Sequence, residues 1–144
     1  MIYEEDFFGF SYGFRAGRSQ HDALDALTRG IKSHRVGWIL DDDIQAFFDE
    51  IDHEWMLRFL EYRIADRRVI RLFRKWLTAG IIENESRIAS VRGTPQSSVI
   101  SPLLSNIYLH YALDLWAHQW RQRYAAGDVI RIRLRRRQCY GIAI

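Results

Sequence analysis

The chain has 144 residues, of which 48% are apolar and 14% aromatic, so a disordered or fibrous protein is excluded and one domain with a buried core is expected. Its single cysteine excludes an internal disulfide framework and favours a reducing cytoplasm, and no apolar run reaches the roughly 18 residues of a membrane-spanning helix. The net charge is +3, but without the five arginines of residues 131–144 the chain has 16 basic and 18 acidic residues, so basicity alone predicts no nucleic-acid partner for residues 1–130.

A basic loop followed by a helix comes first along the chain. Ser11–Ser19 contains two glycines and two arginines, which is typical of a structured loop. Arg15 and Arg18 could hold phosphates through charge-assisted hydrogen bonds, or they could be solvated side chains on a turn. Ser19 is expected to cap a helix over Gln20–Ser33. The predicted apolar face of this helix consists of Ala23, Leu24, Leu27 and Ile31.

An acidic stretch follows the predicted strand Val36–Leu40. Asp41–Asp43 places carboxylates at the carboxyl end of that strand, where open α/β sheets bind ligands and where Mg²⁺ finds the oxygen atoms it prefers. The alternative is a solvated loop or a helix cap. Phe47 and Phe48 are costly to expose, so we expect them to form a surface on which a flat group or a sugar packs.

Two amphipathic helices are predicted next, over Glu54–Ile64 and Asp66–Leu77, with Asp66 as the cap of the second. Trp55 and Trp76 are expected in the core. A hairpin should follow, with Ile81–Ile82 and Ile88–Val91 as its strands. Ser101 and Pro102 then favour the start of a long helix that ends near Tyr124.

Three of these blocks together resemble consecutive motifs of the bacterial group II intron reverse transcriptase and maturase family. Ser11–Ser19 resembles the family's second conserved block, Asp43–His53 its metal-binding palm block, and Gly93–Tyr108 the block around its Pro-Gln-Gly loop. They stand in the family's order and span about residues 3–120.

This resemblance implies an α/β (α+β) fold, a right-hand polymerase palm with partial fingers in residues 1–130, with an incomplete sheet packed by long helices. It implies RNA-templated DNA synthesis with two Mg²⁺ ions, an intron RNA template, a DNA primer and deoxynucleotides. Asp43 would bind both metals, helped by the backbone carbonyl of Ile44. No membrane partner is expected, and the resemblance leaves the oligomeric state open.

The resemblance also assigns nucleotide contacts. Phe48 matches the aromatic residue that packs under the sugar and rejects a 2′-hydroxyl, although a core phenylalanine is the alternative. Gln96 matches the glutamine that contacts the incoming nucleotide, and Arg15 and Arg18 match basic residues of the fingers.

The sequence departs from the family pattern at two motifs. Ser97 and Ser98 stand where the family has two glycines, so side chains occupy a place where the backbone should approach the nucleotide closely. Ala16 replaces a usual proline, which should only loosen a turn.

The largest departure is the end of the chain. After Val129-Ile130 the family continues into a hairpin bearing Tyr-Ala-Asp-Asp, whose aspartates complete the metal site with Asp43. Residues 131–144 contain five arginines and no acid. Suitable codons at 134–138 would give Tyr-Ala-Asp-Asp one base later, so we interpret residues 131–144 as an out-of-frame tail. The family's first fingers block, thumb and maturase domain are also expected to be missing.

We therefore predict a reverse transcriptase fragment that is catalytically defective and binds Mg²⁺ weakly or not at all. The alternative is a non-catalytic RNA-binding remnant of a maturase, which would use Arg15, Arg18 and the arginine-rich tail. A remnant without function, prone to aggregation through an exposed sheet edge, is the third possibility.

Overall fold

The structure, a computed structural model, describes residues 2–34, 36–78, 81–83, 86–88, 100–134 and 137–143. In chain order the elements are α1 (Gln20–Ser33), β1 (Val36–Asp43), α2 (His53–Glu61), α3 (Arg67–Thr78), β2 (Ile81–Glu83), β3 (Ser86–Ile88), α4 (Ser101–Leu109), a π-helical turn (His110–Asp114), α5 (Leu115–Tyr124), β4 (Val129–Leu134) and β5 (Arg137–Ala143). The predicted α/β fold class is confirmed.

The chain divides into two units. The sheet unit comprises Tyr3–Gln45 and Leu109–Ile144, and the helical unit comprises Ala46–Tyr108. Among the described residues, no helix has the length and apolarity needed to cross a membrane.

The sheet unit contains a three-stranded antiparallel sheet in the order β1-β5-β4. The loop before α1 adds a short parallel bridge between Ser11 and Arg133. In this bridge Tyr12 donates its backbone N–H to the Arg133 carbonyl at 2.9 Å, and Arg133 donates to the Phe10 carbonyl at 2.9 Å. The predicted end of β1 at Leu40 was wrong, because pairing with β5 continues the strand through Asp43.

Helix α1 has the predicted limits. Ser19 and Asp22 form a capping box, in which each side chain accepts a hydrogen bond from the other's backbone N–H, at 2.7 and 3.1 Å. Ala23 is buried, but Leu24 is 58% exposed, so its assignment to the apolar face was wrong. A Cβ on Gly30 would lie 3.0 Å from the Ile130 side chain, so glycine lets α1 approach β4 closely.

The helical unit is built around α2, α3 and α4. Asp52 caps α2 through the Trp55 N–H at 3.0 Å, and Asp66 accepts a hydrogen bond from the Arg68 N–H at 2.8 Å, as its predicted role as the cap of α3 requires. The buried apolar residues of this unit are Phe47, Ile51, Met56, Leu57, Leu60, Ile70, Leu77, Leu104 and Ile107. Trp55 was wrongly predicted to be core: it is 50% exposed, with the Arg58 guanidinium 4.8 Å above its ring.

A hairpin is present as β2 and β3, with Ile81 opposite Ile88 and Glu83 opposite Ser86. Glu83 and Ser86 lie in its strands and not in the predicted loop, and residues 89–91 of the predicted second strand lie outside the described residues. The predicted long helix has nearly the expected limits, since α4 begins at Ser101 and α5 ends at Tyr124. It is not uniformly α-helical, because the π-helical turn stands between α4 and α5 in the sequence. His110 and Asp114, at the two ends of this turn, are both buried.

Candidate functional site

Asp43 is the last residue of β1 and lies at the end of the sheet where β4 ends and β5 begins. Its Cα faces that of Arg137, the first residue of β5, which in turn faces Leu134, the last residue of β4. Asp43 and Ile44 are half-buried, whereas Asp41 and Asp42 are exposed. The register therefore places the predicted palm carboxylate opposite the first residue of β5, and residues 135–136 lie outside the described residues.

The predicted aromatic surface belongs to the helical unit and is only partly exposed. Phe47 is buried, with its ring centroid 5.5 Å from Phe48 and 6.2 Å from Tyr108, so its assignment to a binding surface was wrong. Its side chain fills the core instead. Phe48 is half-buried, and its proposed contact with a nucleotide sugar stays a prediction. Gln96 and its neighbours at 91–99 lie outside the described residues.

The turn that contains these aromatic residues has an unusual backbone at its first residue. Ala46 adopts a φ of 48°, in the left-handed region that disfavours residues with a Cβ. Its carbonyl accepts hydrogen bonds from the N–H groups of Asp49 at 3.0 Å and Glu50 at 3.1 Å. These two hydrogen bonds close a turn that begins at Ala46 and contains Phe47 and Phe48.

Arg15 holds the loop of residues 4–11 together. Its side chain is 6% exposed and forms an ion pair with Glu4 at 2.7 Å. Its Nη1 donates to the carbonyls of Phe8 and Ser11, both at 2.9 Å, and Nη2 donates to the Glu4 carbonyl at 3.3 Å. Four of the five N–H groups of this guanidinium donate hydrogen bonds within the protein, so only one remains to bind a phosphate.

Arg18 is more accessible than Arg15. Its Nη1 donates to the Gly9 carbonyl at 2.6 Å, and its guanidinium lies 4.9 Å from the Tyr12 ring centroid. The side chain is half-exposed, so donors remain on its outer side. The contact of Arg18 with a nucleotide or a phosphate stays a prediction.

Residues 2–134 match the family described as reverse transcriptase (RNA-dependent DNA polymerase). The chain belongs to this family. It is 43% identical to the "Uncharacterized 91 kDa protein in cob intron" of Schizosaccharomyces pombe over 76% of this chain and 13% of that protein. It is 39% identical to the "Group II intron-encoded protein LtrA" of Lactococcus lactis over 85% and 20%, and 36% identical to "Protein YkfC" of Escherichia coli over 88% and 33%.

These relatives confirm the resemblance to the group II intron reverse transcriptase and maturase family. The chain spans between 13% and 33% of their length. The match to the reverse transcriptase family ends at Leu134, the last residue of β4. The division of the chain at residue 130, and the out-of-frame origin of residues 131–144, stay predictions.

Reverse transcriptases use Mg²⁺, so the residues beside Asp43 can be tested as ligands. The β4–β5 hairpin contributes no Asp or Glu, and the residue opposite Asp43 is Arg137. Burial, and then Asp41, raise the pKa of the nearby Cys139 thiol, so it stays protonated rather than becoming an anionic ligand. Within the described ranges, no group of three or more His, Cys, Asp or Glu side chains is arranged for a metal.

This donor set does not fit a two-metal polymerase centre. Two Mg²⁺ ions about 3.5–4 Å apart require several shared anionic oxygens. Asp43 and a paired hairpin whose sequence contains no acid do not supply that set of ligands.

The sequence alone did not reveal a buried ion-pair cluster in the sheet unit. Asp114 is fully buried and accepts hydrogen bonds from Arg131 Nη2 at 2.8 Å and from Arg133 Nε at 3.0 Å. Arg133 also donates from Nη2 to the hydroxyl of Ser11 at 2.5 Å. The Arg131 guanidinium lies 4.7 Å from the ring centroid of Phe10 and 5.4 Å from that of Tyr140.

This cluster shows that part of the alternative prediction, RNA binding through the arginine-rich tail, was wrong. Arg131 and Arg133 were expected to contact RNA as part of a solvated tail, but their side chains are 5% and 0% exposed and bind Asp114. Burial lowers the pKa of Arg133, while Asp114 acts in the opposite direction. One sequence feature could have predicted the cluster. Asp114 is the only acid between Ser101 and Tyr124, within a mostly apolar helical segment, and a carboxylate that is buried there needs cationic partners.

Proposed function

We propose that this chain supplies the palm and partial fingers of a group II intron reverse transcriptase but lacks a working polymerase centre. The observation that carries the proposal is the pairing of β1 with β5, which puts Arg137 opposite Asp43 where the family has carboxylates. Asp43, with the Ile44 carbonyl, is the remaining half of a metal site. We infer that Mg²⁺ binds there weakly or not at all.

The expected loss of activity is large. Each 1.36 kcal/mol of lost transition-state stabilisation slows a reaction about tenfold, and a two-metal centre stabilises both the attacking and the leaving oxygen. Losing most of its carboxylates should reduce synthesis by many orders of magnitude. In this proposal an intron RNA template, a DNA primer and deoxynucleotides remain the ligands of the family site, with Phe48, Gln96 and Arg18 as their proposed contacts.

Primer extension tests this proposal directly. The purified chain, given an RNA template, a DNA primer, deoxynucleotides and Mg²⁺, should make no cDNA above the level of its Asp43→Asn variant. Magnesium-dependent synthesis that disappears in Asp43→Asn would overturn the proposal.

A variant with the family's Tyr-Ala-Asp-Asp sequence tests whether the missing carboxylates are what weakens metal binding. Combining Leu134→Tyr, Arg135→Ala, Arg136→Asp and Arg137→Asp returns the family hairpin sequence. This variant should bind Mn²⁺, measured by calorimetry, more tightly than the original chain, and Asp43→Asn should remove the gain. No gain in binding would show that the missing carboxylates are not what weakens the site.

Non-catalytic nucleic-acid binding is the second candidate function. The internal hydrogen bonds of Arg15, Arg131 and Arg133 argue against the residues first expected to carry it. A different set of arginines, on α3, favours it.

A further inference from the structure

Helix α3 carries a dense set of positive charges on one side. Residues Arg67–Thr78 contain no acid. With 3.6 residues per turn, each residue is rotated by about 100°, so the cationic side chains fall within an arc of about 120°. We call this arc the α3 cationic face; it consists of Arg67, Arg68, Arg71, Arg74 and Lys75.

The opposite side of α3 fixes the helix in the helical unit. Ile70 and Leu77 are 7% and 1% exposed, and Val69, Phe73 and Trp76 are half-buried. All five side chains of the α3 cationic face are exposed. Since the apolar side is held in the core, the charges are presented to solvent on a rigid element.

These charges form no ion pair in the part of the chain that the structure describes. Arg58, by comparison, pairs with Glu54 at 2.6 Å, and Arg15 pairs with Glu4 at 2.7 Å. No side chain of the α3 cationic face makes an ion pair or a side-chain hydrogen bond with a described residue. Five like charges on three turns repel one another, which a bound polyanion would relieve.

The spacing of the arginines suits a chain of phosphates. Arg67, Arg71 and Arg74 line one open hollow of about 560 Å³, together with Glu61, Ile64, Ala65 and Ile70. At 1.5 Å per residue, Arg67 and Arg74 are about 10.5 Å apart along the helix axis. That distance corresponds to about three nucleotides at 3.4 Å each along one strand of a duplex.

We propose that the α3 cationic face binds the sugar–phosphate backbone of a nucleic-acid strand, without reading its bases. Arginine donates two parallel hydrogen bonds to phosphate, which favours this ligand over a diffuse counterion layer. An anionic membrane fits less well, because a helix that lies on lipid inserts its apolar side, and here that side is buried or half-buried apart from Leu72, which is 67% exposed. The proposal shares with the proposed function only the class of ligand.

Paired substitutions test the proposal on the full chain. The test variant is Arg71→Gln/Arg74→Gln, and the matched control is Arg121→Gln/Arg123→Gln, which removes the same charge from two exposed positions of α5. Binding is measured by fluorescence anisotropy with a labelled single-stranded RNA and with DNA of the same sequence, over a series of salt concentrations. Vesicles containing phosphatidylserine serve as the competing anionic surface.

The test variant should bind on the order of tenfold more weakly at low salt. The slope of log K against log salt should fall by about 1.4, or 0.7 for each lost phosphate contact to a single strand. The control should change much less. Equal losses for RNA and DNA would assign the contact to phosphate alone, and a larger loss for RNA would add its 2′-hydroxyl; both results support the proposal.

A second measurement needs no variant. Phenylglyoxal modifies accessible arginines, and mass spectrometry locates the products. RNA should protect Arg67, Arg71 and Arg74 but leave Arg121 and Arg123 reactive. Equal losses in the test and control variants, absence of protection on α3, or binding to vesicles but not to nucleic acid would overturn the proposal. None of these results depends on cDNA synthesis, so failure here and failure of the proposed function are separable.

Discussion

Two groups of arginines in this molecule have opposite surroundings. In the sheet unit, Arg131 and Arg133 are buried and share the carboxylate of Asp114. In the helical unit, the α3 cationic face is exposed and has no ion-pair partner among the described residues. The density of charge in the sequence pointed to the first group as a nucleic-acid contact, whereas burial and pairing point to the second.

A local excess of arginine in the sequence therefore does not identify a binding surface. Residues 131–144 contain five arginines and no acid, but a single carboxylate distant in sequence neutralises part of that charge. The net charge of the chain hides the α3 cationic face, because acids elsewhere offset it. A guanidinium is available to bind a phosphate only if its N–H groups do not already donate to acceptors within the protein.

Removing the shared carboxylate should have the largest effect on stability. Asp114→Asn keeps the side-chain shape but leaves two buried guanidiniums without an anion, so we expect a loss of about 3 to 5 kcal/mol in the free energy of unfolding. Urea denaturation measures it, with the exposed Asp25→Asn as the control, which should change by less than about 0.5 kcal/mol. A loss below about 1 kcal/mol for Asp114→Asn would contradict the buried cluster.

Removing one cation should cost less. In Arg133→Gln, Asp114 keeps Arg131 as its partner, but the bond to the Ser11 hydroxyl is lost. We expect the free energy of unfolding to fall by about 2 to 3 kcal/mol, because the buried network of charged hydrogen bonds is only partly broken. Arg133→Lys is the informative companion, since it keeps the charge but not the planar fork. Full stability in Arg133→Lys would mean that charge alone, and not the geometry of the fork, holds the cluster.

A third test uses pH. Burial lowers the pKa of His110 below its ordinary value, with Asp114 and Asp6 opposing and Arg133 and Arg15 assisting. The unfolded chain therefore binds a proton at a higher pH than the folded chain. The contribution of neutral His110 to stability is complete above pH of about 6.5 and is lost as pH falls through the lowered folded pKa.

The slope due to His110 cannot exceed about 1.36 kcal/mol per pH unit. Unfolding free energies of the original chain and of His110→Phe, measured between pH 5 and 8, should differ in this slope. Phenylalanine can keep the ring contacts with Phe7 and Phe8, whose centroids lie 5.6 and 5.4 Å from the His110 ring. An unchanged slope in His110→Phe would assign the acid sensitivity to other groups.

Much of the fold could be predicted because it depends on local signals. Ser19 with Asp22, and Asp66 before Arg67, specify helix starts through neighbouring groups, and both helices begin where expected. The three motifs likewise identified the family, because their order and spacing survive in the sequence. The place of Asp43 inside β1 was not predicted, because the strand was expected to end at Leu40 and pairing with β5 extends it.

The remaining features depend on contacts between residues far apart in sequence. Arg133 meets Ser11 across 122 positions, and no local pattern predicts that pairing. Trp55 was assigned to the core by its periodicity, but Arg58 covers its exposed ring from one turn away. For the nucleotide site, Gln96 lies outside the described residues, so its predicted contact rests on the motif alone.

The variant of the α3 cationic face should show the smallest change in stability. Arg71→Gln/Arg74→Gln alters two exposed side chains without partners among the described residues, so the free energy of unfolding should stay within about 0.5 kcal/mol of the original value. Relief of repulsion on α3 could even raise it slightly. The same variant should bind nucleic acid more weakly, which is the reverse of the behaviour expected from Arg133→Gln. A loss of stability comparable to that of Arg133→Gln would show that the α3 arginines serve the fold, and the contrast between the two groups would disappear.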